Sequence, residues 1–229
     1  PVVMGHPLEA YGFKRIVFAR SAPHIVYGAT CRVNNKLNGH PTAFGVYRSD
    51  KTGAPGSWVP ANDASTAKQA VNDLAVHPKN HNVVYAATAK GGLFKTTDGG
   101  KAWFTVGSFP GSDVRSVAID PVDPRTVYAG LQYGGVFRSS DDGGTWHRMA
   151  AGINENQMVW ALAVDPVDRT VWAGTQRSGV YQWNSIEQQW VATNKKLSTR
   201  CVVDLEISAD GRVLYAATWG EGVFRYQKK

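Results

Sequence analysis

The acidic side chains that would do acid–base work in this chain are Asp73, Asp204 and Glu221. Glycoside hydrolysis asks for two carboxylates about 5–10 Å apart, one acting as acid and the other as base or nucleophile. A second group mixes cations, amides and aromatics: Lys90, Arg115, Gln132, Tyr133, Trp160, Gln176, Arg177 and Trp219. Gathered at one end of a scaffold, such side chains would hold a sugar or a peptide. The third group joins aspartate to glycine at fixed offsets, in Thr96-x-Asp98-x-Gly100-x-x-Trp103 and Ser139-x-Asp141-x-Gly143-x-Thr145-Trp146. A calcium loop needs more oxygen donors than these runs supply. Turn chemistry fits them better, with each aspartate accepting backbone N–H groups and Gly99, Gly100, Gly143 and Gly144 providing positive φ. No metal or other cofactor and no catalytic residue is assigned from these patterns.

Whether these groups meet depends on the elements that carry them, and those repeat. The segments around Tyr27, Tyr85, Tyr128, Trp172 and Tyr215 are five copies of one strand, at spacings of 58, 43, 44 and 43 residues. A first strand precedes each aromatic: Ile16–Ala19, Leu74–Val76, Val117–Ile119, Leu162–Val164 and Leu205–Ile207. A third strand follows each one, and fourth strands start at Trp58, Trp103, Trp146 and Trp190. A four-stranded unit with a 43-residue period is a propeller blade. The reading is therefore all-β: a single five-bladed β-propeller domain over residues 1–229. Its blades span 14–60, 71–107, 114–150, 158–193 and 201–229 plus 1–5. The fifth unit ends after its third strand, so Val2–Met4 is expected to supply the fourth and leave no open sheet edge. A piece of a longer six- or seven-bladed propeller is the competing reading.

In such blades the hairpins between second and third strands share a face with the blade-to-blade linkers. The first two groups above fall there, together with two insertions, 31–43 and 60–70. Cys31 and Cys201 also fall at that end, and a disulfide between them would staple the first blade to the last. Two separate thiols are the alternative. A bond would favour an oxidising compartment.

The aspartate–glycine–tryptophan runs resemble the Asp-box, or bacterial neuraminidase repeat. The copy at Ser139, Asp141, Gly143 and Trp146 is fuller than the one at Thr96, Asp98, Gly100 and Trp103; Ser49–Trp58 and Asn184–Trp190 are decayed forms. The resemblance implies a sialidase-like propeller in which the box is structural and lies away from the ligand. It covers sialidases, xyloglucanases, receptors and assembly factors, so it names no activity. The sialidase Arg-Ile-Pro motif is only echoed by Arg15-Ile16-Val17. The expected function is a non-catalytic, extracytoplasmic (periplasmic or secreted) binding or assembly module for a protein or glycan, as a possible subunit of a larger complex. The alternative is a small sialidase-like or glucanase-like glycoside hydrolase using Asp73 with Asp204 or Glu221.

Composition narrows the classes. The formal charge is +7, but the basic residues are scattered, and no nucleic-acid partner is expected. No apolar run is long enough for a transmembrane helix. Residues 1–13 carry no basic-then-apolar leader pattern, so no signal peptide is expected in this chain.

Overall fold

The structure is a computed structural model, and it describes residues 13–30, 45–149, 151–194 and 197–228. They form five antiparallel sheets without a helix. The first holds β1 (Phe13–Phe18), β2 (Val26–Thr30), β3 (Gly45–Ser49) and β4 (Trp58–Pro60). The second holds β5 (Ala70–Val76), β6 (Val84–Ala89), β7 (Gly92–Thr96) and β8 (Phe104–Thr105). The third runs β9 (Val114–Ile119), β10 (Val127–Leu131), β11 (Val136–Ser139) and β12 (His147–Met149). The fourth is β13 (Val159–Val164), β14 (Val171–Thr175), β15 (Gly179–Asn184) and β16 (Gln189–Ala192). The fifth is β17 (Val202–Ile207), β18 (Val213–Thr218) and β19 (Gly222–Gln227). Each sheet is a meander in chain order, and the fold is an all-β, five-bladed β-propeller. The fourth strand expected of the last blade, Val2–Met4, lies outside the described residues.

The chain divides into two compact units, Pro1–Val106 and Gly107–Lys229. Within each unit consecutive blades meet through their first strands, β1 with β5, and β9 with β13 and then β17. Second strands are almost wholly buried, which explains their small pairs. A Cβ on Gly130 would lie 2.7 Å from Val159 of the next blade, and one on Gly174 would lie 2.7 Å from Val202.

Two sequence expectations need correction. First strands begin three or four residues before the alternating cores that mark them, because each pairs with its second strand through a bulge. The register slips at Lys14, Asn72, Arg115, Trp160 and Val203. One extra residue breaks the period-two pattern and hides the strand's start. In the third blade, the left-handed residues of the box turn are Asp142 (φ 62°) and Gly143 (φ 91°), not Gly144. Asp142 takes the place of Gly99 (φ 78°), and an aspartate tolerates that region better than most residues.

The box turns do what their composition implies. Asp98 accepts the N–H groups of Lys101 (2.9 Å) and Ala102 (3.1 Å), while the Thr96 hydroxyl accepts that of Gly100 (3.0 Å). Asp141 accepts the Thr145 N–H (2.8 Å), and the Ser139 hydroxyl accepts that of Gly143 (2.9 Å). The Thr145 N–H and hydroxyl hold the Asp141 carboxyl far below the usual carboxylate range. The Ala102 N–H does the same, less strongly, for Asp98. Each turn also docks on its own blade's first hairpin: Thr52, Gly99 and Asp142 donate to the carbonyls of His24 (2.8 Å), Asn82 (2.9 Å) and Arg125 (2.8 Å).

The tryptophans divide by partner. The buried Trp103 and Trp190 rings reach the preceding blade, donating to Ala61 (2.9 Å) and Met149 (3.0 Å). Trp58 and Trp146 instead donate within their own hairpins, to Gly53 (3.2 Å) and Gly143 (3.1 Å). The inserted linker after the first blade has a structural task here. Asp63 caps its own turn at Ser65 and also accepts the Trp103 N–H at 2.7 Å.

Candidate functional site

Each blade brings the exit of its second strand to the entry of its first. In the second unit the same bond recurs in all three blades: Gln132 N–H to Asp113 (3.0 Å), Gln176 to Met158 (3.1 Å) and Trp219 to Cys201 (3.0 Å). This fixes Arg115, Trp160 and Val203 at equivalent bulge positions beside the second-to-third-strand hairpins. A bulge re-aims a side chain relative to the regular pleat.

The second unit therefore presents a run of recognisable chemistry. Arg115 forms an ion pair with Asp113 at 2.9 Å and donates to the side-chain oxygen of Gln132. In the next blade the Trp160 ring faces Trp219 across the hairpin of the last blade, with centroids 6.4 Å apart and planes tilted by 51°. Trp219 is 72% exposed and Tyr133 57%. Aromatic rings left open to water at a hairpin tip offer a large contact area at low entropic cost. Gln176 is half-buried and Arg177 exposed at the intervening hairpin.

The carboxylates already have partners. Asp204 accepts the Leu205 N–H at 3.0 Å, and Glu221 accepts the Ser198 hydroxyl. In the first unit Asp73 is buried, ion-paired to Arg15 at 3.1 Å and bonded to the Leu74 N–H at 2.9 Å. Lys90 stands exposed in a left-handed conformation (φ 74°) at the tip of its hairpin. Cys201 is half-buried next to β17; Cys31 lies outside the described residues.

Of the residues the sequence assigned to one face, the structure pairs Arg115 with Gln132 and Trp160 with Trp219, and it adds Asp113 and Ser198, which the sequence did not single out. The signal for Asp113 was its place two residues before Arg115, at the strand entry shared by every blade.

What the fold defines is a β-propeller whose hairpins and strand entries carry these side chains. No protein-family model matches the sequence, and no curated protein is significantly similar to it. Solved structures do resemble it in fold. The GH74 enzyme of Niastella koreensis superposes with a TM-score of 0.72 at 18% identity, over 95% of this chain and 36% of that one. YCF48 bound to D1 peptide gives 0.65 at 15% identity, over 98% of this chain and 68% of that one. An extracellular domain from B. thetaiotaomicron (BT4673) gives 0.63 at 14% identity, over 98% and 32%. The chain thus spans little more than a third of the GH74 enzyme. At these identities the likeness is one of fold, and the fold hosts hydrolases and non-enzymatic proteins alike.

Proposed function

We propose that this chain is a non-catalytic binding or assembly module whose hairpin-and-linker face receives a protein or glycan partner. The observation that carries this reading is the Trp160–Trp219 pair, with Trp219 72% exposed, together with the Arg115–Gln132 pair at the equivalent strand entry and hairpin of the third blade. An exposed indole backed by a second ring is an anchor, and neighbouring donors fix the orientation of what lands on it. A likeness in fold to YCF48 bound to D1 peptide supports a protein ligand. The box hydrogen bonds support the Asp-box reading. An extracytoplasmic setting and a Cys31–Cys201 staple belong to the same proposal, as does a single domain formed by the whole chain.

Affinity capture and a glycan array, each run with the native chain and with Trp219→Ala, test the reading. One specific protein or glycan retained by the native chain and lost by the variant is the expected result. Retention that ignores Trp219 would overturn it. The likeness to GH74 enzymes favours a second reading, a small glycoside hydrolase. Release of reducing sugar from xyloglucan, abolished by Asp204→Asn or Glu221→Gln, would replace the first reading with that one.

A further inference from the structure

A second surface lies in the groove between the third and fourth blades. Its volume is about 610 Å³, and its walls include Tyr128, Arg138, His147, Arg148, Arg169 and Trp183. Several of these charges are already neutralised. Arg148 is paired with Glu155 at 2.5 Å, and Arg169 with Asp120 at 2.7 Å. The carboxylate on the wall, Asp168, is held by Lys228 at 2.9 Å. Arg138 is different. It is exposed, and it has no hydrogen-bond or ion-pair partner among the described residues.

The repeat shows what this position takes when it is filled. A cation on the third strand stands directly opposite the aromatic of the second strand in four blades. The pairs are Tyr27 with Arg48, Tyr85 with Lys95, Tyr128 with Arg138, and Tyr215 with Arg225. In the first blade the Arg48 guanidinium donates to the Asp50 carboxylate at 2.7 Å and to the Asn82 side-chain oxygen at 3.3 Å. Lys95 sits 5.3 Å from the centre of the Tyr85 ring, and Arg225 donates to Gln227 at 2.8 Å. The third blade carries Ser140 where the first carries Asp50, so its arginine lacks the neighbouring carboxylate. A planar guanidinium fork with free donors selects carboxylates in two-point geometry.

From this geometry we infer that the groove binds an acidic peptide segment of a partner protein. One carboxylate would pair with Arg138, a second acidic residue would stand near His147, and an adjoining apolar side chain would pack on Trp183. The volume suits two or three residues rather than a lone ion, and the chain's formal +7 favours an acidic partner. Neither Trp219 nor the Arg115–Gln132 pair lines this groove.

The test is fluorescence anisotropy with a fluorescein-labelled acetyl-Glu-Asp-Phe-Asp-Glu-amide peptide at low ionic strength. Saturable binding is expected, weakened about tenfold by Arg138→Gln, as for the loss of one charge-assisted pair. Arg225→Gln, the equivalent position of the last blade, is expected to leave it unchanged. Arg138 is exposed, so its replacement spares the fold; thermal melting of the variant checks this. Three results would overturn the inference: no saturable binding, equal binding to the Arg138→Gln variant, or equal binding of the neutral Gln-Asn-Phe-Asn-Gln peptide. Displacement by inorganic phosphate as effective as by unlabelled peptide would reduce the groove to a simple anion site and overturn it as well.

Discussion

Replacing Trp103 by Phe separates a ring that ties two blades together from one that caps its own turn. Trp103 is 4% exposed, and its indole N–H reaches the buried carbonyl of Ala61 in the preceding blade at 2.9 Å. Phenylalanine would orphan that carbonyl, which costs about 1–3 kcal/mol for a buried acceptor. Loss of the larger ring's buried surface and imperfect collapse around it add about 1 kcal/mol. The total expected loss is about 2–4 kcal/mol. Trp146→Phe is the control. Its ring is half-buried and donates at 3.1 Å to Gly143 inside the same hairpin, so about 1 kcal/mol is expected. Urea unfolding followed by far-ultraviolet circular dichroism measures both, since tryptophan fluorescence would change with the substitution itself. Two compact units can melt separately, so the curves should be fitted with two transitions where they show them. Equal losses in the two variants would refute the division of the tryptophans into staples and caps.

Three further outcomes are expected. Arg169→Ala should destabilise by about 1–3 kcal/mol in the same assay: Asp120 is fully buried behind it, but Arg169 itself is 42% exposed, which discounts the cost of a broken buried pair. Asp141→Asn should destabilise most near neutral pH. Its carboxyl is held far below its usual range by Thr145, so its contribution is present above an unfolded value of about 4 and lost as pH falls through the folded one. The gap between native and variant midpoints should therefore narrow in acid; a gap constant from pH 7 to pH 3 would contradict it. Asp63→Ala should behave alike. Burial opposes ionisation of Asp63, but donors on Ser65, Trp103 and Thr66 outweigh it and lower its pKa. The Asp63→Ala penalty should likewise shrink as the solution is acidified through the folded value, read by circular dichroism.

The blades were legible because aromatic, small and glycine positions recur at a fixed period, and a repeat amplifies a weak strand signal five times over. Box turns were legible because their bonds are local: Asp98 and Asp141 cap groups three or four residues away. The bulges were not, since an extra residue such as Trp160 reads as noise in an alternating pattern. Nor was the joint between Asp120 and Arg169, whose partners lie 49 residues apart. The Arg138 groove escaped for a related reason: its meaning depends on what the sibling residue Arg48 touches, and sequence gives the equivalence without the contacts. On the rim, the place of Asp113 two residues before Arg115 marks a strand entry, but that spacing alone does not say that the arginine turns back to it.

The bond from each box turn to the first hairpin of the same blade has a genealogical consequence. Thr52, Gly99 and Asp142 all find their acceptors without leaving the unit that encodes them. A duplicated or deleted segment of that length would carry its tie with it, and only the contacts between neighbours would have to be renegotiated. Such an array can lengthen or shorten by whole modules, while losing half of one would break the clasp.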